Sequence, residues 1–152
     1  MSCDWLKNEH IKIANSVLKK LETIHIPKNA AMVFDIDHTL LDQHGGPIEP
    51  IVYLFHFVKQ KGIQPVIITA RLGHEKNIEW TKNQLKKHNL GGDNISMYFL
   101  PPDKTDPWRY KYHARKNVHE RGLTVIMSIG DEQWDIGEYG GIGFKLPKCM
   151  CG

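Results

Sequence analysis

Cysteine is scarce and poorly placed for a covalent framework: the chain has three, Cys3, Cys149 and Cys151, all near its two ends. An odd count in those places predicts no disulfide scaffold. With no CxxC or His-rich companion segment, Cys149 and Cys151 read as free thiols of a terminal tail before they read as a metal site or redox sensor. Long apolar runs are also missing, and Asp4, Lys7, Glu9 and Lys12 interrupt the region where a signal peptide needs an apolar stretch. The expectation is a cytoplasmic protein with no membrane partner. Nor is there an excess of one charge: 20 Lys+Arg against 17 Asp+Glu leave +3, which permits a nucleic-acid partner without requiring one. Low-complexity tracts, internal repeats, the GxxxxGK[ST] loop and a correctly spaced GxGxxG are all absent.

What remains is the composition of an ordinary globular protein, 152 residues with 41% apolar and 24% charged, enough for one domain around one core. Ala14, Val17, Leu18, Leu21 and Ile24 recur at helical spacing and predict an amphipathic helix over about 4–24. The almost wholly apolar run Ala30 to Ile36 predicts a strand covered on both faces. Helix and strand then alternate: Ile51 to Lys61 (closed by Gly62), "QPVIIT", Glu75 to His88, "ISMYFL", Pro107 to Arg121, "TVIMSI" and a final "GFKL". This order predicts an α/β, Rossmann-like three-layer domain: a mostly parallel central sheet with helices on both faces, its core over about 30–147 and a short Cys-containing tail over 148–152.

In such a sheet, chemistry belongs at the carboxyl ends of the strands. The first strand ends in Asp35-Ile36-Asp37, the second in Thr69-Ala70-Arg71, and the last long one in Gly130-Asp131, with Asp135 four residues on. Residues i and i+2 of an extended segment share a face, so Asp35 and Asp37 are expected to point the same way, and the topology should bring Asp131 and Asp135 towards them. Like charges about 4 Å apart repel by roughly 4 kcal/mol at an effective dielectric of 20. A cation relieves this, and an all-oxygen donor set favours Mg²⁺ over Zn²⁺. A lone DxD is often only a turn that caps a helix. A calcium loop starting at Asp35 fails at Leu40, where it needs Gly, and at Gly46, where it needs Glu.

Together, "FDIDHTLLD", "IITAR", a lysine near the start of the helix before "TVIMSI", and "IGDEQWD" resemble the haloacid dehalogenase (HAD) superfamily of phosphohydrolases. "YKYHAR", "GDEQWD" and "GFKLP" are similar to its plant-type and class B acid phosphatase branch, although Trp134 stands one residue later than the branch pattern has its Trp. The resemblance spans about residues 31–147. It implies a Mg²⁺-dependent phosphomonoesterase in which Asp35 is the nucleophile, Asp37 the general acid and base, Thr69 a donor to a phosphoryl oxygen and Lys111 the cation paired with Asp35. The implied metal residues are Asp35, Asp37, Asp131 and Asp135.

Lys104 and Lys116 compete with Lys111 for the lysine role, and Arg71 and Arg115 read as groups that support the site or touch substrate, and at least as well as surface ion pairs. His38 and His44 match no catalytic position and read as loop histidines. Trp108, Tyr110 and Tyr112 read as packing residues before they read as a stacking platform. No segment is long enough for an inserted cap: "QHGGPIEP" is only a flap-like loop. The site is therefore expected to be open, suited to a phosphorylated macromolecule, a nucleotide or loosely selected small esters, unless a second copy of the chain covers it. The competing readings are a non-catalytic phospho-ligand or partner-binding module and a phosphotransferase.

Overall fold

The computed structural model describes residues 3–92 and 94–149. Its elements are α1 (Trp5–Thr23), β1 (Ala30–Phe34), α2 (Glu49–Gln60), β2 (Gln64–Leu72), α3 (Glu75–Lys86), β3 (Ser96–Leu100), α4 (Pro107–Glu120), β4 (Thr124–Gly130), a single 3₁₀ turn at Gln133–Asp135, and β5 (Ile142–Lys145). The five strands form one sheet in the order β3-β2-β1-β4-β5, with every pairing parallel. The chain leaves β1 outward through β2 and β3, then returns to the other side of β1 for β4. The switch point lies between β1 and β4, where the two connections diverge and leave a crevice at the carboxyl edge.

Side-chain alternation in β1 divides the core. Ala30, Met32 and Phe34 pack into the cluster that holds Val17 and Leu21 of α1, Ile51, Leu54 and Phe55 of α2, and Leu85 of α3. Ala31 and Val33 face the other way, with Val66, Ile68 and Ala114 and Val118 of α4. Both faces of the sheet are thus covered, which is why the central strands lack polar alternation. α1 buries His10, Ala14, Val17 and Leu21, a stripe at i, i+4, i+7 and i+11.

Local signals set the helix ends. Asp106 accepts from the amides of Trp108 and Arg109, and Pro107 follows it in the first turn, so α4 begins where its lysine must be placed. α2 starts at Glu49, earlier than the apolar spacing indicates, because Pro50 suits a first turn. Gly62, at φ +80, ends it in the left-handed region that glycine adopts without strain.

Two expectations are corrected. Cys149 is not a free thiol: it forms a disulfide with Cys3, 146 residues away in sequence, with Cα atoms 5.7 Å apart. Folding lays the start of α1 beside the tail after β5, a proximity that local sequence does not display. Cys151 lies outside the described residues. The shared face of Asp35 and Asp37 is also lost, because β1 stops at Phe34. The amides of Thr39, Leu40 and Leu41 turn back onto the Ile36 carbonyl, and His38 takes a positive φ of 62°, so the two-residue period of a strand ends before it reaches Asp37. No described helix is long and apolar enough to cross a membrane.

Candidate active site

Asp35 follows β1 and Asp131 follows β4, on the two strands that flank the switch point. The Asp35 amide donates to the Ile129 carbonyl at 3.2 Å, which continues the β1–β4 ladder one residue beyond β1 and fixes the backbone of Asp35. One carboxylate oxygen each from Asp35, Asp131 and Asp135 lies within 4.8 Å of the others. All three residues are buried.

Lys111 enters this cluster from the first turns of α4. Its side chain is 2% exposed, and Nζ donates to Asp35 Oδ1 at 2.9 Å, Asp135 Oδ1 at 2.6 Å and the Ile68 carbonyl at 2.7 Å, engaging all three ammonium hydrogens. Lys104 is exposed and Lys116 only partly covered. Thr69 is fully buried near the end of β2, and its Oγ1 accepts from the Arg71 amide at 3.1 Å.

Asp37 stands apart from the cluster. Its half-exposed carboxylate receives two bonds from Arg71, Nη2 to Oδ1 at 2.7 Å and Nε to Oδ2 at 3.0 Å. Arg71 is in turn held by Thr81 and Gln84 of α3 and lies over the Trp80 ring. Asp135 ends the 3₁₀ turn; its Oδ2 accepts from the Glu132 amide at 3.0 Å, so it caps that turn while it pairs with Lys111.

Burial and mutual repulsion mark the cluster electrostatically. Desolvation lifts the Asp35 carboxyl to about 6, against the opposing attraction of Lys111, with Asp131 pushing further upward. Desolvation and the nearby Asp35 charge lift Asp135 to about 7. Asp131 is raised as well, chiefly by burial. Burial alone would lower Lys111, but the two carboxylates it touches more than reverse this. Burial is the first cause of each raised carboxyl and repulsion within the cluster adds to it, so ionising all three acids is unfavourable without further positive charge.

Two contributors, Thr39 and Lys148, were not evident in the sequence, and a third, Arg115, acts differently from the ion pair it suggested. Thr39 donates to Asp35 Oδ2 at 3.3 Å, so both oxygens of Asp35 are held. Its signal was the threonine two residues after Asp37. Arg115 is no surface ion pair: it is 4% exposed and donates to the backbone carbonyls of Trp134 and Glu138, pinning the segment that carries Asp135. Lys148, from the tail, reaches Asp131 Oδ2 at 3.6 Å and also pairs with Glu132. Among the aromatics, Trp108 packs edge-on against Trp134 while staying exposed, and the Tyr110 hydroxyl is buried without a partner.

Residues 44–152 match the family model of the HAD superfamily, subfamily IIIB (acid phosphatase), over more than two thirds of the chain. The match begins downstream of Asp35 and Asp37. No curated protein matches the chain. From β1 to β2 the described chain holds only the flap loop and α2, and from β2 to α4 only α3, β3 and turns, all consumed by the core fold. The chain therefore belongs to the acid phosphatases of HAD subfamily IIIB, hydrolases by classification, and it does so without a cap domain among its described residues.

Proposed function

We propose that the protein is a Mg²⁺-dependent phosphomonoester hydrolase that works through an aspartyl-phosphate on Asp35. The observation that carries this reading is the burial of Lys111 against Asp35 and Asp135 at the sheet's switch point. An ammonium group fixed by Asp35, Asp135 and the Ile68 carbonyl, beside a cluster of three acids, is placed to stabilise charge on a reacting group.

The donor set fits a hard divalent ion: three carboxylates converge, no sulfur or imidazole joins them among the described residues, and two of them have carboxyl groups raised to about 6 and 7. Asp35, Asp131 and Asp135 would hold Mg²⁺, whose charge would compensate both the cluster and the phosphoryl oxygens. Asp37, the fourth residue implied for the metal, has its carboxylate held by Arg71 and is not one of these three.

In the reaction, an oxygen of Asp35, oriented by Lys111 and Thr39, attacks phosphorus in line, and the bond to the leaving oxygen breaks. Asp37 gives that oxygen its proton. It then takes a proton from water, which attacks the acyl-phosphate, frees inorganic phosphate and restores Asp35. Because Arg71 holds both oxygens of Asp37, that ion pair must open or give up one contact before the carboxyl reaches the leaving oxygen. Thr69 accepts from Arg71 through its oxygen, which leaves the hydroxyl hydrogen for a phosphoryl oxygen.

The test is phosphate release from sugar phosphates, nucleotides, phosphopeptides and phosphorylated oligonucleotides, with Mg²⁺ and with chelator. Release that requires Mg²⁺ and disappears in a folded Asp35→Asn variant is the expected result. No release from any compound would favour a phospho-ligand or partner-binding module, and a phosphorylated acceptor in place of free phosphate would favour a phosphotransferase.

A further inference from the structure

A cavity of about 400 Å³ lies at the carboxyl edge of the sheet, between the start of α1, the loop after β1 and the tail after β5. This is within the size range of small-molecule sites, roughly 300–1,000 Å³. Leu6, Ile48 and Pro147 make much of its lining apolar, and both halves of the Cys3–Cys149 disulfide border it. Its charged lining residues are balanced, Lys7 and Lys148 against Asp42 and Glu49.

His10 also lines the cavity. It is only 6% exposed, and its Nε2 has no hydrogen-bond partner. A buried ring nitrogen left unpaired is costly and uncommon. The other buried residues on this stripe of α1 are Ala14, Val17 and Leu21, so an apolar side chain would satisfy packing at this position. Desolvation lowers the pKa of His10, which keeps the ring neutral and able to pair with either a donor or an acceptor.

The cavity adjoins the phosphoryl site through two residues. His38 follows Asp37, the proposed acid for the leaving oxygen, and Lys148 pairs with Asp131. A more open hollow of about 580 Å³, bordered by Asp37, Arg71 and Trp80 and sharing His38 and Asp42 to His44 with the cavity, has no unpaired buried group among its lining residues. Of the cavity's walls, α1 lies outside the residues matched by the family model, whereas Pro47 to Pro50 and the tail lie within them.

We propose that the cavity receives the leaving group of the phosphomonoester, and that this group is uncharged, ring-sized and largely apolar, with one hydrogen-bonding atom that meets His10 Nε2 once the ring turns this closed-off nitrogen towards the cavity. The proposal rests on the hydrolase reading above.

The test compares kcat/KM for ethyl phosphate, phenethyl phosphate and the ortho, meta and para hydroxy analogues of phenethyl phosphate, whose alcohols are of similar basicity. The wild type should prefer phenethyl over ethyl phosphate by about tenfold, from burial of the ring. Leu6→Trp, which fills the cavity, should bring that ratio close to one. His10→Leu should keep the ring preference and lose the additional preference for the best hydroxy analogue. If no ester is hydrolysed, the hydrolase reading falls, and the cavity is judged by binding of phenethyl alcohol. A saturable shift of the His10 ring resonance, abolished by Leu6→Trp, would then support it. A wild-type ratio near one, a ratio unmoved by Leu6→Trp, or an unshifted His10 resonance in inactive protein would each overturn the proposal.

Discussion

Replacing Lys111 with methionine removes the cation between Asp35 and Asp135 while keeping most of the side chain's volume. At 2.9 and 2.6 Å the two contacts are each worth about 6 kcal/mol by Coulomb's law at an effective dielectric of 20. Desolvation of the buried ammonium cancels much of this, and breaking a buried pair typically costs about 3–5 kcal/mol because the orphaned charges stay behind. For a domain of this size each kcal/mol shifts Tm by roughly 2–4 °C, so a drop of about 10 °C is expected at pH 8 in chelator. The sign with pH follows from the carboxyl groups. Asp35 and Asp135 already titrate near 6 and 7 in the folded protein, above their ordinary 3.8. Raised carboxyls favour the folded state at low pH, and that advantage is lost as pH rises from about 4 through the folded values. Without Lys111 both are raised further, so the variant should lose stability with rising pH more steeply than the wild type. Its deficit should shrink to a small fraction at pH 5, where the carboxyls are mostly protonated, and Mg²⁺ at pH 8 should restore part of it. Thermal unfolding of both proteins at the two pH values reads this directly. An equal Tm deficit at pH 5 and pH 8 would refute the charge argument and leave only lost packing.

Other perturbations probe the neighbouring supports. A methyl group at Gly130 would overlap the Asp135 side chain, so Gly130→Ala should cost about 1–3 kcal/mol and weaken Mg²⁺ binding by calorimetry; unchanged affinity would show that Asp135 does not contribute to the metal site. Cys3→Ser opens a link across 146 residues, for which loop entropy sets an upper cost of about 5 kcal/mol, and its urea midpoint should match that of the reduced wild type; a wild-type midpoint insensitive to reductant would count against the bond. Asp37→Asn should slow hydrolysis of alkyl phosphates far more than of nitrophenyl phosphate, whose leaving group needs no proton; equal loss for the two would remove Asp37 from the acid role.

The order of elements, and the ends at which acids gather, could be read from the chain because both are local. Apolar positions recur at helical spacing in α1, and uninterrupted apolar runs mark β1, β2 and β4 as strands covered on both faces. Tyr110-Lys111 and Arg115 marked the helix that carries the lysine, and Asp106-Pro107 set its start, so a short-range cap positions a long-range contact.

Tertiary structure alone decided which side chains meet. Asp35 and Asp37 are two residues apart, yet one faces Lys111 and the other Arg71, because a turn after Phe34 cancels the strand period. Arg115 reaches backbone carbonyls 19 and 23 residues further on, and Cys3 meets Cys149 across almost the whole chain. His10 shares the helical stripe of Ala14 and Val17, but only the fold shows that its ring nitrogen faces no partner. Periodicity and caps act over a few residues. Contact between side chains depends on where the sheet order β3-β2-β1-β4-β5 carries distant segments, and no window of sequence contains that order.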